Sequence, residues 1–152
     1  MMKVRPAAPA DAPRVIELVT GMFHDLGAPP STQWQTPARE RLTLDDHTAA
    51  YVTVDSSDRP IAVAVGVIDH RLPSPRRPNG PIGYVEWLAT DPRHRRQGAA
   101  RLAMTALLNW FDHYGVTTID IHASAAARRI YEDLGFQNPA ATPLRRTRSI
   151  DA

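Results

Sequence analysis

The chain has 152 residues, 43% hydrophobic and 22% charged, a composition that suits one globular domain, taken here as residues 1–152. It contains no cysteine, which excludes a disulfide scaffold, a thiolate nucleophile and any Cys-ligated zinc or iron–sulfur site. Eighteen basic and 16 acidic residues leave a net charge of +2, and every basic residue except Lys3 is an arginine. No apolar run approaches the ~18 residues of a spanning helix, and Met1 to Ala10 has no apolar core of a secretory signal. The expectation is a soluble cytoplasmic protein with no membrane partner.

In chain order, Asp11 can cap a helix whose Val15, Ile16, Val19, Met22 and Phe23 recur at helical spacing, with Pro13 in the first turn and Gly27 at the end. Gln35 to Leu44 predicts a second, charged helix. Ala50 to Val54 predicts a strand, Ser56 to Asp58 a turn, and the valine-rich run Ile61 to Ile68 a buried strand. Four of the 14 prolines fall between Arg71 and Pro81, which predicts a long loop. Ile82 to Ala89 predicts a third strand, with Tyr84, Glu86 and Leu88 on one face and Val85 and Trp87 on the other. A turn over Thr90 to Arg96 leads into a helix with Leu102, Ala106, Leu107, Trp110 and Tyr114 on or near its apolar stripe, closed by Gly115. Thr118 to His122 alternates as a short strand. Ser124 can cap a last helix bearing Ala127, Ile130, Tyr131 and Leu134, with Gly135 after it, and Phe136 to Arg148 has room for one or two edge strands. This order predicts a mixed α/β fold, an antiparallel meander followed by a crossover unit.

The junction Arg95-Arg96-Gln97-Gly98-Ala99-Ala100 lies between a strand and a helix. Amides at a helix start lack intrahelical partners, and the helix dipole favours an anion there. Gly98 and the alanines leave the backbone open to a diphosphate, and Arg95 and Arg96 add positive charge. The alternative on these residues alone is an ordinary solvated basic turn. No P-loop and no G-x-G-x-x-G fingerprint is present, which weighs against nucleotide triphosphatase and dehydrogenase chemistry.

Leu88-Ala89-Thr90-Asp91-Pro92 followed by Arg95 to Ala100 resembles the central motif of the GCN5-related N-acetyltransferase (GNAT) family, R/Q-x-x-G-x-G/A. Downstream, Ala127-Arg128-Arg129-Ile130-Tyr131-Glu132-Asp133-Leu134-Gly135-Phe136 resembles that family's A-x-x-(L/I)-Y-x-x-x-G-F. The two are separated by one helix and one strand, and the resemblance covers Gly83 to Phe136. Ala100 replaces the last motif glycine. Ser124 stands where the family often has an asparagine, seven residues before the tyrosine, and receives no role beyond capping.

The resemblance implies a mostly antiparallel sheet flanked by helices, with acetyl-CoA as co-substrate held where two parallel strands splay, Ile82–Ala89 and Thr118–His122. It assigns the pantetheine arm to the backbone of Leu88, Ala89 and Thr90 and the pyrophosphate to Arg95, Arg96, Gln97, Gly98, Ala99 and Ala100. It also implies direct acyl transfer to an amine. A lysine-like amine with a pKa near ~10.4 is almost wholly protonated at neutral pH, so a base is required. Glu86, a lone carboxylate in an apolar strand, is the candidate base, and burial would raise its pKa. The alternative is an edge glutamate that simply holds a basic substrate. Tyr131 matches the family tyrosine and is the candidate acid for the departing thiolate. His122, at a strand end, and Asp120 are lesser candidates.

Histidines 24, 47, 70, 94 and 113 show no metal-ligand spacing, so no metal is expected. The acceptor is expected to be an amine of a small molecule or a peptide, and a homodimer is a family habit. Met22 to Gln35 and Arg71 to Pro81 are expected to build the acceptor side, with Trp34 and His70 as candidate lining. A non-catalytic acyl-CoA sensor of the same fold is the alternative function. Arginine clusters alone do not make a nucleic-acid module, since no helix-turn-helix, RNP or zinc-finger signature accompanies them, and no nucleic-acid partner is expected.

Overall fold

The computed structural model describes residues 1–149. The chain forms two compact units, one over Met1–His122 and a small one from Ala123 onward. In the first, the order is β1 (Lys3–Pro6), α1 (Ala12–Asp25), α2 (Gln35–Leu44), β2 (Thr48–Val54), β3 (Pro60–His70), β4 (Pro81–Thr90), α3 (Ala99–His113) and β5 (Ile119–Ile121). The strands lie in sequence order in one mixed sheet, antiparallel from β1 to β4, with β5 added parallel to β4.

β1 is a strand the sequence does not announce. It is short, largely exposed and carries Lys3 and Arg5, so it lacks an apolar alternation. It is held by its ladder to β2 and by Arg5, which donates to the carboxylates of Asp11 and Asp58. Asp11 therefore does not cap α1 as expected. Its carboxylate accepts the Ala8 N–H at 2.7 Å and pairs with Arg5 at 2.6 Å. α2 spans the predicted residues and buries none of them.

The sheet separates two packing layers. On one face, Val15, Leu18 and Val19 of α1 meet Val52, Val54, Val63, Val65 and Ala89, a cluster extended by Phe23, Trp34 and Trp87. On the other lies α3, whose buried stripe is Ala103, Met104, Leu107 and Phe111. The expected stripe was displaced by about one residue, sharing only Leu107. Leu102 is 36% exposed and Tyr114 57%. The sheet supplies the reason. Gly66 and Gly83, on neighbouring strands, leave a shallow seat for the Phe111 ring, and a Cβ at either glycine would lie 2.7 Å from it.

The β3–β4 register runs Val65↔Trp87 and then Gly66↔Val85, so Glu86 is an extra, bulged residue. The bulge corrects the expected alternation on β4. Trp87 packs on the α1 face, whereas Gly83 lies against α3, which places Val85 on the α3 face and Tyr84 with Trp87 on the α1 face.

In the β3–β4 loop Ser74 and Arg77 exchange reciprocal backbone hydrogen bonds, the Arg71 N–H donates to the Gly80 carbonyl, and the Gly80 N–H donates to the Arg77 carbonyl. It joins β4 at Pro81, five residues along the strand from Glu86, which is about 17 Å at a strand's rise per residue. His70 is at the same end, opposite Pro81 and packed on His47. Neither sits beside Glu86, contrary to the expectation for the acceptor side.

The second unit contains α4 (Arg128–Asp133), shorter than predicted. The Ser124 hydroxyl accepts the Ala127 N–H at 3.3 Å, so it caps the turn before the helix rather than the helix itself. The helix closes through the motif's own residues. Gly135, at φ +96°, donates to Glu132, Phe136 donates to the Tyr131 carbonyl, and the Phe136 and Tyr131 rings pack at 5.8 Å. Phe136 to Arg148 contains no strand among the described residues, against the expected edge strands.

Candidate functional site

The site grows from β4 and the turn after it. β5 pairs with β4 only at Gly83↔Ile119, Tyr84↔Asp120 and Val85↔Ile121. Among the described residues of the sheet, the ladder then ends, and β4 continues from Glu86 to Thr90 with β3 alone as its partner. The Asp91 N–H donates to Ile61 on the β3 side at 2.8 Å. By strand alternation, Thr90 and Leu88 direct their backbone groups the other way, toward the freed edge. Ala89 is buried in the α1 layer.

Asp91 anchors the end of that edge. It is 4% exposed. Its carboxylate accepts the Arg93 N–H at 2.9 Å and an Arg14 guanidinium N–H at 2.7 Å. Arg14, on α1, also donates to the Pro60 carbonyl. These donors hold Asp91 far below the usual carboxylate range. Nothing in the sequence links positions 14 and 91, so this clamp was not anticipated.

Beyond Pro92 the chain turns left-handed at Arg96 (φ 63°) and at Gly98 (φ 85°), and α3 starts at Ala99. Two left-handed positions thus flank Gln97 just before the helix, whose first amides have no intrahelical partner. A Cβ at Gly98 would meet nothing within 4 Å, so the glycine is needed for its φ and the space above it is open. Ala99 is buried, and its carbonyl accepts the Thr53 hydroxyl at 2.7 Å, which fixes the helix start on the sheet.

The arginines divide. Arg93 is committed to Asp91, and Arg95 pairs with Asp25 at the end of α1 at 2.9 Å. Arg96 has no ion pair among the described residues and is exposed. Of the expected basic cluster, it is the cation left for an anionic ligand.

Glu86 is exposed at the bulge rather than buried, so the premise of a desolvated carboxylate is corrected. Beside it, on the α1 face, Trp87, Phe23 and Trp34 make mutual edge-to-face contacts, with centroids 5.3 to 6.3 Å apart. Trp34 thus reaches the bulge. Across the last rungs of the β4–β5 ladder, the Tyr84 hydroxyl and His122 Nδ1 are hydrogen-bonded, with ring centroids 5.6 Å apart. Sequence reading put Tyr84 on a strand face and gave it no part in the site; only the β4–β5 register brings the pair together. In the second unit, Tyr131 is 6% exposed, and burial pushes its phenol up to about 12. Among the described residues no group of three or more His, Cys, Asp or Glu is placed to hold a metal, and no helix is long and apolar enough to cross a membrane.

A left-handed turn opening a helix, next to a strand edge freed by splaying, sits at the C-terminal end of β4 in an α/β fold. Comparison with known proteins names the class. Residues 19–136 match the model of the acetyltransferase (GNAT) family, and the chain belongs to that family. It is an acetyl-CoA-dependent acetyltransferase. Among solved structures it is similar to a predicted acetyltransferase from Clostridium acetobutylicum crystallised with acetyl-CoA (21% identity, 96% of each chain covered, TM-score 0.84). It is also similar to a GCN5-related N-acetyltransferase from Ralstonia eutropha (24% identity, 95% of this chain and 98% of that chain, TM-score 0.81). A third is glucosamine-6-phosphate N-acetyltransferase from Arabidopsis thaliana (20% identity, 99% of each chain, TM-score 0.72). A comparison with curated protein sequences finds no match.

The turn yields a first prediction. Gly98→Ala is expected to weaken acetyl-CoA binding about tenfold by calorimetry, because a left-handed non-glycine residue costs about 1–2 kcal/mol and the turn relaxes away from that geometry. An unchanged Kd would show that the left-handed turn is not part of the binding site.

Proposed function

We propose that this enzyme moves an acetyl group directly from acetyl-CoA to the primary amine of a small molecule or peptide, with no acyl-enzyme intermediate. The observation that carries the reading is the contiguity of the freed β4 edge, Leu88 to Thr90, with the left-handed turn at Arg96 to Gly98. In this reading Leu88, Ala89 and Thr90 line the pantetheine arm, with Leu88 and Thr90 offering their backbone groups. Arg95, Arg96, Gln97, Gly98, Ala99 and Ala100 surround the pyrophosphate, with Arg96 as the free cation and Arg95 paired with Asp25. The coenzyme supplies the acetyl group as a thioester, already activated toward an amine. Both units are read as one acetyltransferase domain, because the family match runs through each of them.

Glu86 serves the amine side of the reaction. An exposed carboxylate attracts an ammonium ion to the bulge and assists its deprotonation, directly or through water. Tyr131 serves the thiolate side, by its place in the A-x-x-I-Y motif. Burial keeps its phenol protonated throughout the neutral range, so an O–H is present to hydrogen-bond the departing thiolate.

The test is binding followed by turnover. Acetyl-CoA at about 100 times its Kd should stabilise the fold by about 2.7 kcal/mol. A panel of primary amines including glucosamine 6-phosphate, an aminoglycoside, spermidine and a lysine peptide should then release free CoA. Glu86→Gln should lower kcat/KM for the amine about ten- to a hundredfold, chiefly through lost amine binding, and leave acetyl-CoA affinity alone. Binding without CoA release would instead favour an acyl-CoA sensor, and absence of binding at millimolar acetyl-CoA would sink the reading.

A further inference from the structure

The bulge at Glu86 and the end of β5 face each other across the splay. Val85↔Ile121 is the last rung, so the next residues, Glu86 and His122, stand on either side of the point where the strands part. Alternation puts His122 on the same face of β5 as Asp120, which pairs with Tyr84, and Tyr84 shares the α1 face with Trp87. That face is where Trp34 and Phe23 gather. Ile119, by contrast, lies with Gly83 on the α3 side. His122 is thus an exposed imidazole held at the splay by a hydrogen bond between its Nδ1 and the Tyr84 phenol. The charged and titratable groups of β4 and β5 on or beside it are Tyr84, Glu86 and Asp120.

We propose that His122 is the proton acceptor of the acetyl transfer, with Tyr84 as the residue that positions it, an inference that rests on the acetyltransferase reading above. In the working state Nδ1–H donates to the Tyr84 hydroxyl oxygen, which leaves the Nε2 lone pair free. Glu86 holds the acceptor's ammonium at the bulge. Nε2 takes one proton from it, producing imidazolium and a neutral amine. The amine nitrogen then forms its bond to the acetyl carbonyl carbon as the C–S bond breaks. The thiolate takes the proton assigned to Tyr131, the amide nitrogen sheds its remaining extra proton to water, imidazolium returns its own to solvent, to which His122 is open, and one proton from solvent restores Tyr131. An imidazole suits this task better than a solvated carboxylate, because general-base efficiency is greatest when the base titrates near the working pH.

Two measurements test it. Long-range 1H–15N NMR of the histidine rings, with the His122 signals assigned through His122→Gln, should show neutral His122 protonated at Nδ1. Tyr84→Phe should return it to the Nε2–H form that free imidazole prefers. A wild-type Nε2–H tautomer overturns the proposal, and this arm needs no acceptor. In the second arm, CoA release is followed against pH with whichever amine of the panel is turned over. His122→Gln should lower kcat about a hundredfold or more and remove the limb in the neutral range. Tyr84→Phe should lower kcat less and keep that limb. A His122→Gln enzyme with the wild-type pH profile overturns the proposal while leaving the acetyltransferase reading standing. Failure of wild type to bind acetyl-CoA at all would instead remove the reading on which the proposal rests.

Discussion

Asp91→Ala is expected to cost about 3–5 kcal/mol of unfolding free energy, the range for removing one partner of a buried ion pair. The carboxylate lies below the surface and gathers donors from two places, Arg14 on α1 and the backbone and side chain of Arg93. Its loss removes the buried partner of the Arg14 guanidinium, whose side chain is only 12% exposed, and leaves it the exposed Glu17 and the Pro60 carbonyl. Urea denaturation at pH 7 measures the effect, and a loss below about 1 kcal/mol, the size of an exposed pair, would mean that the clamp is not a buried one. The same residue sets an acid dependence. Asp91 is held below its unfolded value of roughly 3.9, so its contribution is complete above that value and fades as pH falls toward the folded one. Asp11 is shifted the same way, chiefly by Arg5. Wild-type stability should therefore fall below about pH 4, and Asp91→Asn, which cannot ionise, should flatten that slope. Because Asp91 ends the freed edge and starts the turn to Gly98, acetyl-CoA affinity should fall along with stability.

Local patterns were legible where one short stretch of chain decides the structure. Gln35 to Leu44 is a helix with the predicted bounds, and the valine-rich run through Ile61 is a buried strand. The two family motifs fell in the expected places, one as a left-handed turn opening α3, the other as a helix closed on Gly135 and Phe136. What escaped was set by partners far off in sequence. β1 owes its strand to β2 and to Arg5 bridging to Asp58, not to its own alternation. The α3 stripe turns on two glycines in other strands. The bulge at Glu86 inverts the face of Trp87, and a one-residue insertion in a register has no signature in a single strand's sequence. The site shares this division. Gly98 and Tyr131 stand in motifs, whereas the Asp91–Arg14 clamp and the Tyr84–His122 pair exist only once strands and helices are assembled.

Gly83→Ala is expected to destabilise the fold by about 1–3 kcal/mol through overpacking, although the position lies in a strand where alanine is otherwise tolerated. The new methyl would lie 2.7 and 2.9 Å from Phe111 ring carbons and 3.1 Å from Ile119 Cγ1. The ring cannot yield easily, since Phe111 is fully buried and its far edge rests over Gly66. Phe111→Leu removes the ring edge that clashes, so the double variant should be more stable than the two separate costs predict; simple additivity would show that the seat is not what constrains the position. A functional consequence separates the two glycines. Gly83 pairs with Ile119 on the first of only three β4–β5 rungs, so pressure there moves β5 and changes the opening at Val85. Gly66→Ala presses the same ring from β3, which does not pair with β5. Both variants should lose comparable stability by urea denaturation, but Gly83→Ala should raise KM for acetyl-CoA several-fold more than Gly66→Ala. Equal KM values would mean that the position of β5 does not set the width of the coenzyme cleft.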